Sequence, residues 1–342
     1  MVILGSRLML FRSGSLMSGL GYLPDWILLG FWVVALGVLP PKKRKTQRSS
    51  RLGEFKFLVF HFILLLVGWG TADFGWQNLR VAKVKGDRLP DSGSFSVLSI
   101  NLRYFSFGTQ RLVEVFQKYQ PDVIFLSETV PTFWDKQWMG MAMPQYRFLS
   151  TRTSETALLT RLPVESFREV ELPTRQASLE FSNEVKEQMS HSHRAFGHAQ
   201  LWVGKQLVHF IPIRFVAGRG PEGKVSKQLN WGRYLLKSHL EELEFFRKYL
   251  GELTGPMMLG GDLNATPGSF VVHGMTSTGI RDVWFDKHFW GGHSFSTFKI
   301  PFVRLDFLFA SPSIYTSQLH HIPELISDHE VLWGSFVMGD SP

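Results

Sequence analysis

Residues 257–269 read MMLGGDLNATPGS. A short apolar run ends in two glycines and is followed at once by Asp262 and Asn264, two positions apart. If the chain stays extended here, the two side chains point the same way. An apolar run bounded by turn residues is typical of a buried strand, and this one carries polar side chains at its end.

Other apolar runs of the chain end in the same way, with a polar residue suited to metal or phosphate chemistry. Asn101 ends the run in SVLSINLR, Glu128 follows PDVIFLS, and Asp306 lies in RLDFLF. Asp328 and His329 come together in SDHE, just before the last apolar run. A carboxylate at the end of a buried strand must be solvated, paired or bound to a cation. These residues are therefore candidates for one shared site.

From about Ser94 onward, short apolar runs alternate with turns and a few helical stretches. The predicted strands are Phe95–Ile100, Val123–Leu126, Thr156–Leu159, Gln206–Arg214, Met257–Leu259, Leu305–Phe309 and Val331–Val337. Ser226–Leu250 is predicted to be a helix, because its apolar residues fall roughly on one face. Strands mixed with helices in this way predict a layered α/β fold.

In this order the motifs resemble the endonuclease/exonuclease/phosphatase superfamily. They are N-x-R, a strand ending in Glu, G-D-x-N, R-x-D-F and S-D-H, and together they cover about residues 94–338. Each motif alone is a weak signal, but the ordered set is specific. The resemblance implies a four-layer αββα sandwich of the α/β (α+β) class that hydrolyses a phosphoester.

The resemblance also implies a divalent cation. By similarity Glu128 is the principal metal ligand, Asn101 lies beside it, and Asp328 contributes directly or through water. Hard oxygen ligands suit Mg²⁺ or Mn²⁺, which keep several waters and need only one or two carboxylates. Because water attacks a phosphoester in line, the site must hold the cation against the phosphate and stabilise the charge that builds up.

By the same resemblance, four residues act on the water and the phosphate. Asp306 orients His329, which acts as a base or as a cation that contacts the phosphate. Asp262 orients or deprotonates the attacking water, and Asn264 donates a hydrogen bond to the phosphate. The resemblance leaves open which of them removes the proton.

At one place the sequence departs from the family pattern. Many members have a His after the central strand that contacts the phosphate, whereas residues 209–219 here read HFIPIRFVAGR. Aligned on the following Gly-Arg, Arg214 takes the place of that His. Aligned on the preceding apolar pair, Ile211 does. The planar guanidinium of Arg214 would bind a phosphate well, whereas Ile211 at this place would predict reduced activity or an unusual substrate.

The positive charge of the chain is concentrated near its start. Residues 1–84 hold eleven Lys/Arg and three Asp/Glu, so residues 85–342 hold 26 of each sign. Proteins that bind nucleic acid usually carry a basic face. A neutral domain therefore lowers the expectation of a nucleic-acid substrate without excluding it. The lack of cysteine in the sequence excludes disulfides and zinc–thiolate sites.

Two apolar stretches, near residues 22–39 and 57–72, are predicted to be transmembrane helices, because each is near the length that the hydrocarbon core requires. Between them, residues 42–51 carry six Lys/Arg. Short basic loops stay cytoplasmic, which predicts that the domain after the second span lies outside the cytoplasm. We therefore expect a membrane anchor at 1–84, a linker at 85–93 and the phosphoesterase domain at 94–338.

These expectations combine into one leading hypothesis and two alternatives. The leading hypothesis is a membrane-anchored phosphoesterase that acts outside the cytoplasm on a lipid-linked or small phosphate ester, with membrane lipid as its neighbour. The first alternative is an extracytoplasmic nuclease that acts on DNA. The second is a non-catalytic binding protein that keeps the fold, motivated by the missing His. The oligomeric state stays open.

Overall fold

The computed structural model describes the chain from residue 93 to residue 339, with gaps. The described ranges are 93–103, 110–129, 143–151, 156–173, 194–217, 225–288, 292–297, 300–322 and 326–339. The chain divides into two units, Met1–Lys83 and Val84–Pro342, and every described residue lies in the second. Within the described ranges, no helix is long and apolar enough to cross a membrane. The two predicted spans and the basic loop lie outside these ranges and stay predictions.

Strands predominate over helices among the described residues. In chain order the elements are β1 (Ser94–Asn101), α1 (Gln110–Tyr119), β2 (Val123–Ser127), β3 (Arg147–Ser150), β4 (Thr156–Thr160), β5 (Val164–Glu171), β6 (Ala195–Val203), β7 (Gln206–Arg214), α2 (Val225–Gly251), β8 (Met257–Asp262), α3 (Phe270–Thr276), β9 (Arg281–Asp282), a 3-10 helix (Val283–Asp286), β10 (Phe295–Thr297), β11 (Ile300–Val303), β12 (Asp306–Ala310), β13 (Ile314–Ile322) and β14 (Val331–Met338). The predicted strands and the predicted long helix all correspond to elements of this series, so those predictions are confirmed.

In the described part of the chain, the strands form two six-stranded sheets and one short ribbon. Sheet A has the order β13-β14-β1-β2-β4-β3, sheet B has the order β5-β6-β7-β8-β12-β9, and β10 pairs with β11. The pairs β1–β2 and β7–β8 are parallel. A parallel pair requires a crossover connection, and α1 and α2 lie in these two connections. This mixed α/β fold with two sheets agrees with the predicted fold class.

The largest apolar cluster lies between the two sheets. Phe95 and Phe125 of sheet A pack there against Phe210 of sheet B, with ring centroids 5.6 and 6.3 Å from the Phe210 ring. The other face of sheet A is also covered, since Ile100 of β1 packs in a second cluster with Phe116 of α1. Because both faces of the central strands are buried, these strands are continuous apolar runs rather than alternating ones.

Helix α2 is packed on aromatic side chains of sheet B. The ring of Phe246 lies 4.9 Å from that of Phe196 in β6 and 5.5 Å from that of Phe215, which follows β7. This contact fixes α2 beside the segment that leaves β7. That segment carries a predicted site residue, Arg214.

The elements that the sequence pattern did not predict include most of the strands toward the sheet edges and the two shorter helices. They are α1, β3, β5, β6, α3, β9, β10, β11 and β13. Strand β5 illustrates the reason, since it is charged and largely exposed along its length. A strand with no buried residue gives neither an apolar run nor an apolar–polar alternation.

The glycine pair in the 257–269 stretch is required by close contacts around β8. A Cβ on Gly260 would lie 2.2 Å from the ring of Phe125, and one on Gly261 would lie 1.9 Å from the carbonyl oxygen of Ile213. Gly261 also has φ +146°, which favours glycine. The two glycines therefore let β8 approach both β7 and sheet A, and they deliver Asp262 to the end of the strand.

Candidate active site

Polar side chains meet where β1, β2, β7 and β8 end and where β12 and β14 begin, and we call this region the site edge. The site edge comprises Asn101, Glu128, Arg214, Asp262, Asn264, Asp306, Asp328 and His329. Strand register brings its members together: Asp262 lies opposite both Arg214 on β7 and Asp306 on β12. Asn101 lies opposite Ser127, the residue before Glu128. All eight predicted site residues thus lie in one region.

His329 and Asp306 form a buried pair at the centre of the site edge. The Nδ1 of His329 lies 2.6 Å from Oδ2 of Asp306, whose side chain is fully buried. Burial alone would lower the pKa of His329, but Asp306, through its charge and hydrogen bond, together with Asp262 and Asp328, raises it to about 9. His329 is therefore a cation at neutral pH, with Nε2 as the ring nitrogen left for a substrate.

Asp262 is a buried carboxylate that accepts several hydrogen bonds. Its Oδ2 accepts from Nδ2 of Asn101 at 3.0 Å and from Nδ2 of Asn264 at 3.2 Å, and its Oδ1 accepts from the Asn264 backbone N–H at 2.7 Å. Burial raises the pKa of Asp262 to about 6, against the lowering effects of His329 and Arg214. Asp262 is thus mostly ionised at neutral pH, yet basic enough to accept a proton.

The expectation that Asp262 and Asn264 lie on one extended segment is wrong. Asn264 has φ +47°, in the left-handed region, and its side chain turns back onto Asp262 and onto the carbonyl oxygen of Phe215 at 3.1 Å. Glu128 also has a positive φ, at +54°. Positive φ is uncommon for residues other than glycine, and such strain concentrates at functional sites. The polar side chains are therefore gathered by strained turns after the strands.

Arg214 occupies the place at the end of β7 where the sequence left two alignments open. Its Nη2 donates to Oε1 of Glu128 at 2.8 Å, and both side chains are mostly buried. Ile211 lies earlier on the same strand with no exposed surface. Arg214, rather than Ile211, is thus the residue of this strand that reaches the site edge.

Asn101 and Asp328 are tied together by Arg103, which was not among the predicted site residues. The Arg103 backbone N–H donates to Oδ1 of Asn101 at 2.9 Å, and its guanidinium lies 3.2 Å from Oδ2 of Asp328. Arg103 has φ +44°. The N-x-R motif contained this residue, so the signal was present, but its partner could not be read from the sequence.

Ser294 is a second residue that the sequence analysis missed. Its buried Oγ accepts from the backbone N–H groups of Leu305 and Asp306, both at 2.9 Å. Its carbonyl oxygen accepts from the backbone N–H of Glu330 at 2.6 Å. Ser294 therefore joins the start of β12 to the segment that carries His329. In the sequence GGHSF, Ser294 resembles an ordinary turn residue. Nothing in the sequence distinguishes it from other loop serines.

The site edge offers oxygen ligands for a cation. Among the described residues, no three His, Asp or Glu side chains are grouped in a way that could hold a metal ion. Mg²⁺ and Mn²⁺ need only one or two carboxylates, because waters complete their coordination. Glu128 fits this requirement: its carboxylate retains some solvent exposure, and it directly follows Ser127, which lies opposite Asn101 on the neighbouring strand. The donor set is thus compatible with a hard divalent cation.

Comparison with known proteins supports the same assignment. A family model of the Endonuclease/Exonuclease/phosphatase family matches residues 98–329. No curated protein matches the sequence. Many solved structures resemble the fold. One is an endonuclease/exonuclease/phosphatase family protein from Bacteroides thetaiotaomicron, with 17% identity and a TM-score of 0.55 over 73% of this chain and 100% of that chain.

Two further similar structures are of named enzymes. A humanized D. rerio TDP2 has 18% identity and a TM-score of 0.52 over 72% of this chain and 99% of that chain. The 3' phosphatase NExo from Neisseria, bound to a product DNA hairpin, has 13% identity and a TM-score of 0.53 over 70% of this chain and 98% of that chain. At such low identity these likenesses establish the fold alone. Together with the family match over most of the domain, they show that the chain belongs to the endonuclease/exonuclease/phosphatase family, whose enzymes hydrolyse phosphoesters.

Proposed function

We propose that the chain is a divalent-cation-dependent phosphoesterase that acts on a lipid-linked or small phosphate ester. The observation that carries this proposal is the buried His329–Asp306 pair, which lies beside Asp262 on the adjacent strand. A cationic histidine next to a basic carboxylate supplies the two functions that phosphoester hydrolysis requires of side chains. These are charge stabilisation and proton acceptance.

The proposed mechanism assigns the proton to Asp262. Water attacks the phosphorus in line as the ester P–O bond to the leaving group breaks. Asp262, with its pKa raised to about 6, accepts the proton that the water loses, and the leaving oxygen takes a proton from solvent. His329 donates through Nε2 to the phosphate oxygens, where negative charge develops. Because its pKa is raised to about 9, we assign His329 the role of a cation rather than that of a base. This assignment selects one of the two roles that the resemblance left open for His329.

Arg214 and Asn264 are proposed to bind the phosphate. Arg214 presents a planar guanidinium suited to two phosphate oxygens. Both amide hydrogens of Asn264 are engaged, by Oδ2 of Asp262 and by the carbonyl oxygen of Phe215, so Asn264 would have to release one of these bonds to donate to the phosphate. We propose that Arg214 and Asn264 face the phosphate of the substrate.

Glu128 and Asn101 are proposed to hold Mg²⁺ or Mn²⁺, with Asp328 contributing directly or through water. A cation bound there would polarise the phosphate and neutralise part of its charge. Arg214 forms an ion pair with Glu128. We expect the guanidinium to move toward the phosphate when both cation and substrate are present.

The choice of a lipid-linked or small substrate rests on charge and on the predicted anchor. Residues 85–342 are formally neutral, with 26 residues of each sign, whereas nucleic-acid binding usually requires a basic face. The predicted spans at 22–39 and 57–72 would hold the domain near a membrane, outside the cytoplasm. This setting supports a lipid-linked phosphate and is part of the proposal.

A nuclease is the second candidate, and one observation favours it. D. rerio TDP2 has been solved in complex with a single-strand DNA product, and NExo with a product DNA hairpin. If this chain acted on DNA, its activity would fall steeply with added salt, because phosphate contacts release counterions.

A substrate panel separates the candidates. The full-length chain would be incubated with Mg²⁺ or Mn²⁺ and with a phospholipid, a polyprenyl phosphate, a generic phosphodiester or DNA. We expect hydrolysis of one of the first three, with weak dependence on salt. Preferential, salt-sensitive cleavage of DNA would replace the proposal with the nuclease. No hydrolysis together with no binding of Mn²⁺ would favour a non-catalytic protein.

A further inference from the structure

The segment 214–216 leaves β7, carries Arg214 into the site edge and is held by hydrogen bonds from several parts of the fold. We call it the Arg214 segment. Two of its bonds go to the loop that carries Asp262. The Phe215 N–H donates to the carbonyl oxygen of Asp262 at 3.0 Å, and the Phe215 carbonyl oxygen accepts from Nδ2 of Asn264 at 3.1 Å. The segment is therefore linked directly to two residues of the proposed site.

Three more backbone groups of the Arg214 segment are bound by side chains from elsewhere. Arg194 donates to the Arg214 carbonyl oxygen at 2.5 Å. On α2, Oε2 of Glu242 accepts from the Val216 N–H at 3.3 Å, and Nε2 of His239 donates to the Val216 carbonyl oxygen at 2.8 Å. Every carbonyl and amide from the Arg214 C=O to the Val216 C=O thus has a defined partner.

Glu242 and Arg194 also pair with each other inside the protein. Arg194 bonds Oε1 of Glu242, whose side chain has no solvent exposure. Burial raises the pKa of Glu242 to about 7, although Arg194 acts to lower it. A buried ion pair of this kind is a poor source of net stability compared with apolar residues of the same size. Its cost points to a role other than stabilisation.

The position of Glu242 on α2 supports such a role. His239 and Glu242 lie on the buried side of the helix in line with Phe246 and Leu250, a spacing that an amphipathic helix normally reserves for apolar residues. Glu241, one residue earlier, is partly exposed and faces Lys237 at 3.9 Å. The helix therefore directs one carboxylate toward Lys237 and the next one to the Arg214 segment.

We propose that Glu242 and Arg194 are positioning residues that hold the Arg214 segment so that the guanidinium of Arg214 faces Glu128 and the substrate phosphate. The inference rests on the proposed function, because it assumes that Arg214 binds phosphate. It also gives a reason for the departure from the family pattern. A long, flexible Arg needs a rigid backbone to act as a phosphate ligand, because each immobilised rotamer otherwise costs entropy.

The first test measures the position of the segment without any substrate. Hydrogen exchange of the full-length chain would be followed by mass spectrometry for peptides that contain the Phe215 and Val216 amides. Glu242→Gln should accelerate exchange in this segment by about tenfold, since it weakens bonds to a charged acceptor. The matched variant Glu241→Gln should leave the segment unchanged, and β14 peptides should be unchanged in both.

The second test asks whether Glu242 acts through Arg214. In a double-mutant cycle, binding of inorganic phosphate would be measured by calorimetry for Glu242→Gln, Arg214→Ala and the double variant. We expect Glu242→Gln to weaken phosphate binding about tenfold alone and less than about twofold in the Arg214→Ala background. A purely structural role would give equal losses in both backgrounds. If Glu242→Gln does not fold, Arg194→Lys replaces it, because it keeps the charge but not the fork.

The outcomes separate this inference from the proposed function. Unchanged exchange in the segment, or equal losses in both backgrounds, would overturn the positioning role even if the chain proves to be a phosphoesterase. Faster exchange confined to the segment, with non-additive losses, would support it. Absence of hydrolysis in the substrate panel would count against the proposed function, while the exchange measurement would still decide whether Glu242 and Arg194 hold the segment.

Discussion

His329 at the site edge and His198 on β6 are both buried, yet their surroundings give them opposite chemistry. Burial alone lowers the pKa of either ring. For His198, His209 and Arg168 lower the pKa further, to about 3, whereas for His329 the neighbouring carboxylates, chiefly Asp306, raise it to about 9. The charge of the neighbouring groups, rather than burial, therefore decides whether a buried histidine is a cation that can stabilise a phosphate.

The two histidines also differ in what their hydrogen bonds are for. Nε2 of His198 lies 2.7 Å from Nδ1 of His209, and its Nδ1 lies 2.6 Å from the hydroxyl of Tyr249. Both ring nitrogens are thus engaged within the fold. In His329 the Nδ1 is engaged by Asp306, and among the described residues no hydrogen-bond partner of Nε2 is present. We therefore assign His198 to structure and His329 to function.

The largest expected effect comes from replacing each of the two histidines in turn and comparing the losses of activity and stability. His329→Gln should lower kcat/KM by about a thousandfold, because it removes the cation that faces the phosphate. His198→Gln should leave kcat/KM within about twofold and instead lower the free energy of unfolding by roughly 1–3 kcal/mol. Both variants would be measured by steady-state kinetics and by urea unfolding. Equal kinetic losses in the two would remove the distinction.

The next prediction makes His329 more like His198 by removing its charged partner. Asp306→Asn should lower the pKa of His329 and reduce activity at neutral pH by about a hundredfold. Because we assign the protonated ring to the reaction, the alkaline limb of the pH–rate profile should move to lower pH. An unshifted limb would show that His329 does not act as the cation.

The third prediction concerns stability and pH at His198. The pKa of His198 in the folded chain, about 3, lies below its ordinary value of 6.5. Between these two pH values the unfolded chain binds a proton at this residue and the folded chain does not. The contribution of His198 to the free energy of unfolding is therefore complete above about pH 6.5 and is lost as pH falls toward 3. The loss reaches up to about 2 kcal/mol by pH 5. Urea unfolding at several pH values measures this loss. In His198→Gln the dependence should flatten, and an unchanged slope would assign it to other groups.

The smallest effect comes from the two ends of β12, which have matched serines. Ser294→Ala should cost about 1–2 kcal/mol of stability and also about three- to tenfold in kcat/KM, because its Oγ fixes the start of the strand at Asp306. Ser311→Ala removes a similar bond, since Oγ of Ser311 accepts from the Met257 N–H at 2.8 Å beyond the other end. It should cost stability alone. A kinetic loss in Ser311→Ala as large as that in Ser294→Ala would refute the local role.

Much of the site could be predicted because the end of a buried strand is visible in the sequence as an apolar run followed by a polar residue. Asn101, Glu128 and Asp262 each follow or end an apolar run. The first two lie at the ends of parallel strands of sheet A, and Asp262 lies at the end of β8 in sheet B, where it meets Asn101. Their contacts could not be predicted, since Arg214 and Glu128 are 86 residues apart in the chain. The positive φ of Asn264 was equally hidden, because an apolar–polar alternation also fits an extended strand.

The supporting residues show where the sequence signal was present and where it was absent. Glu242 was detectable in principle, as a carboxylate on the buried side of an amphipathic helix. Ser294 was not, because a loop serine is usually a turn residue and its two amide partners lie on a strand more than ten residues away. Positioning contacts of this kind depend on tertiary packing, which hydrophobic periodicity does not encode.

The central claim, that the site edge is the catalytic centre of a cation-dependent phosphoesterase, is tested most directly by one rate measurement. Hydrolysis of the phospholipid, the polyprenyl phosphate and the generic phosphodiester of the substrate panel by the full-length chain would be followed while Mg²⁺ or Mn²⁺ is added, removed with a chelator and restored. We predict a rate that rises with the cation, falls to background on chelation and returns when the cation is restored. A rate indifferent to chelation, or no hydrolysis at any cation concentration, would contradict the claim.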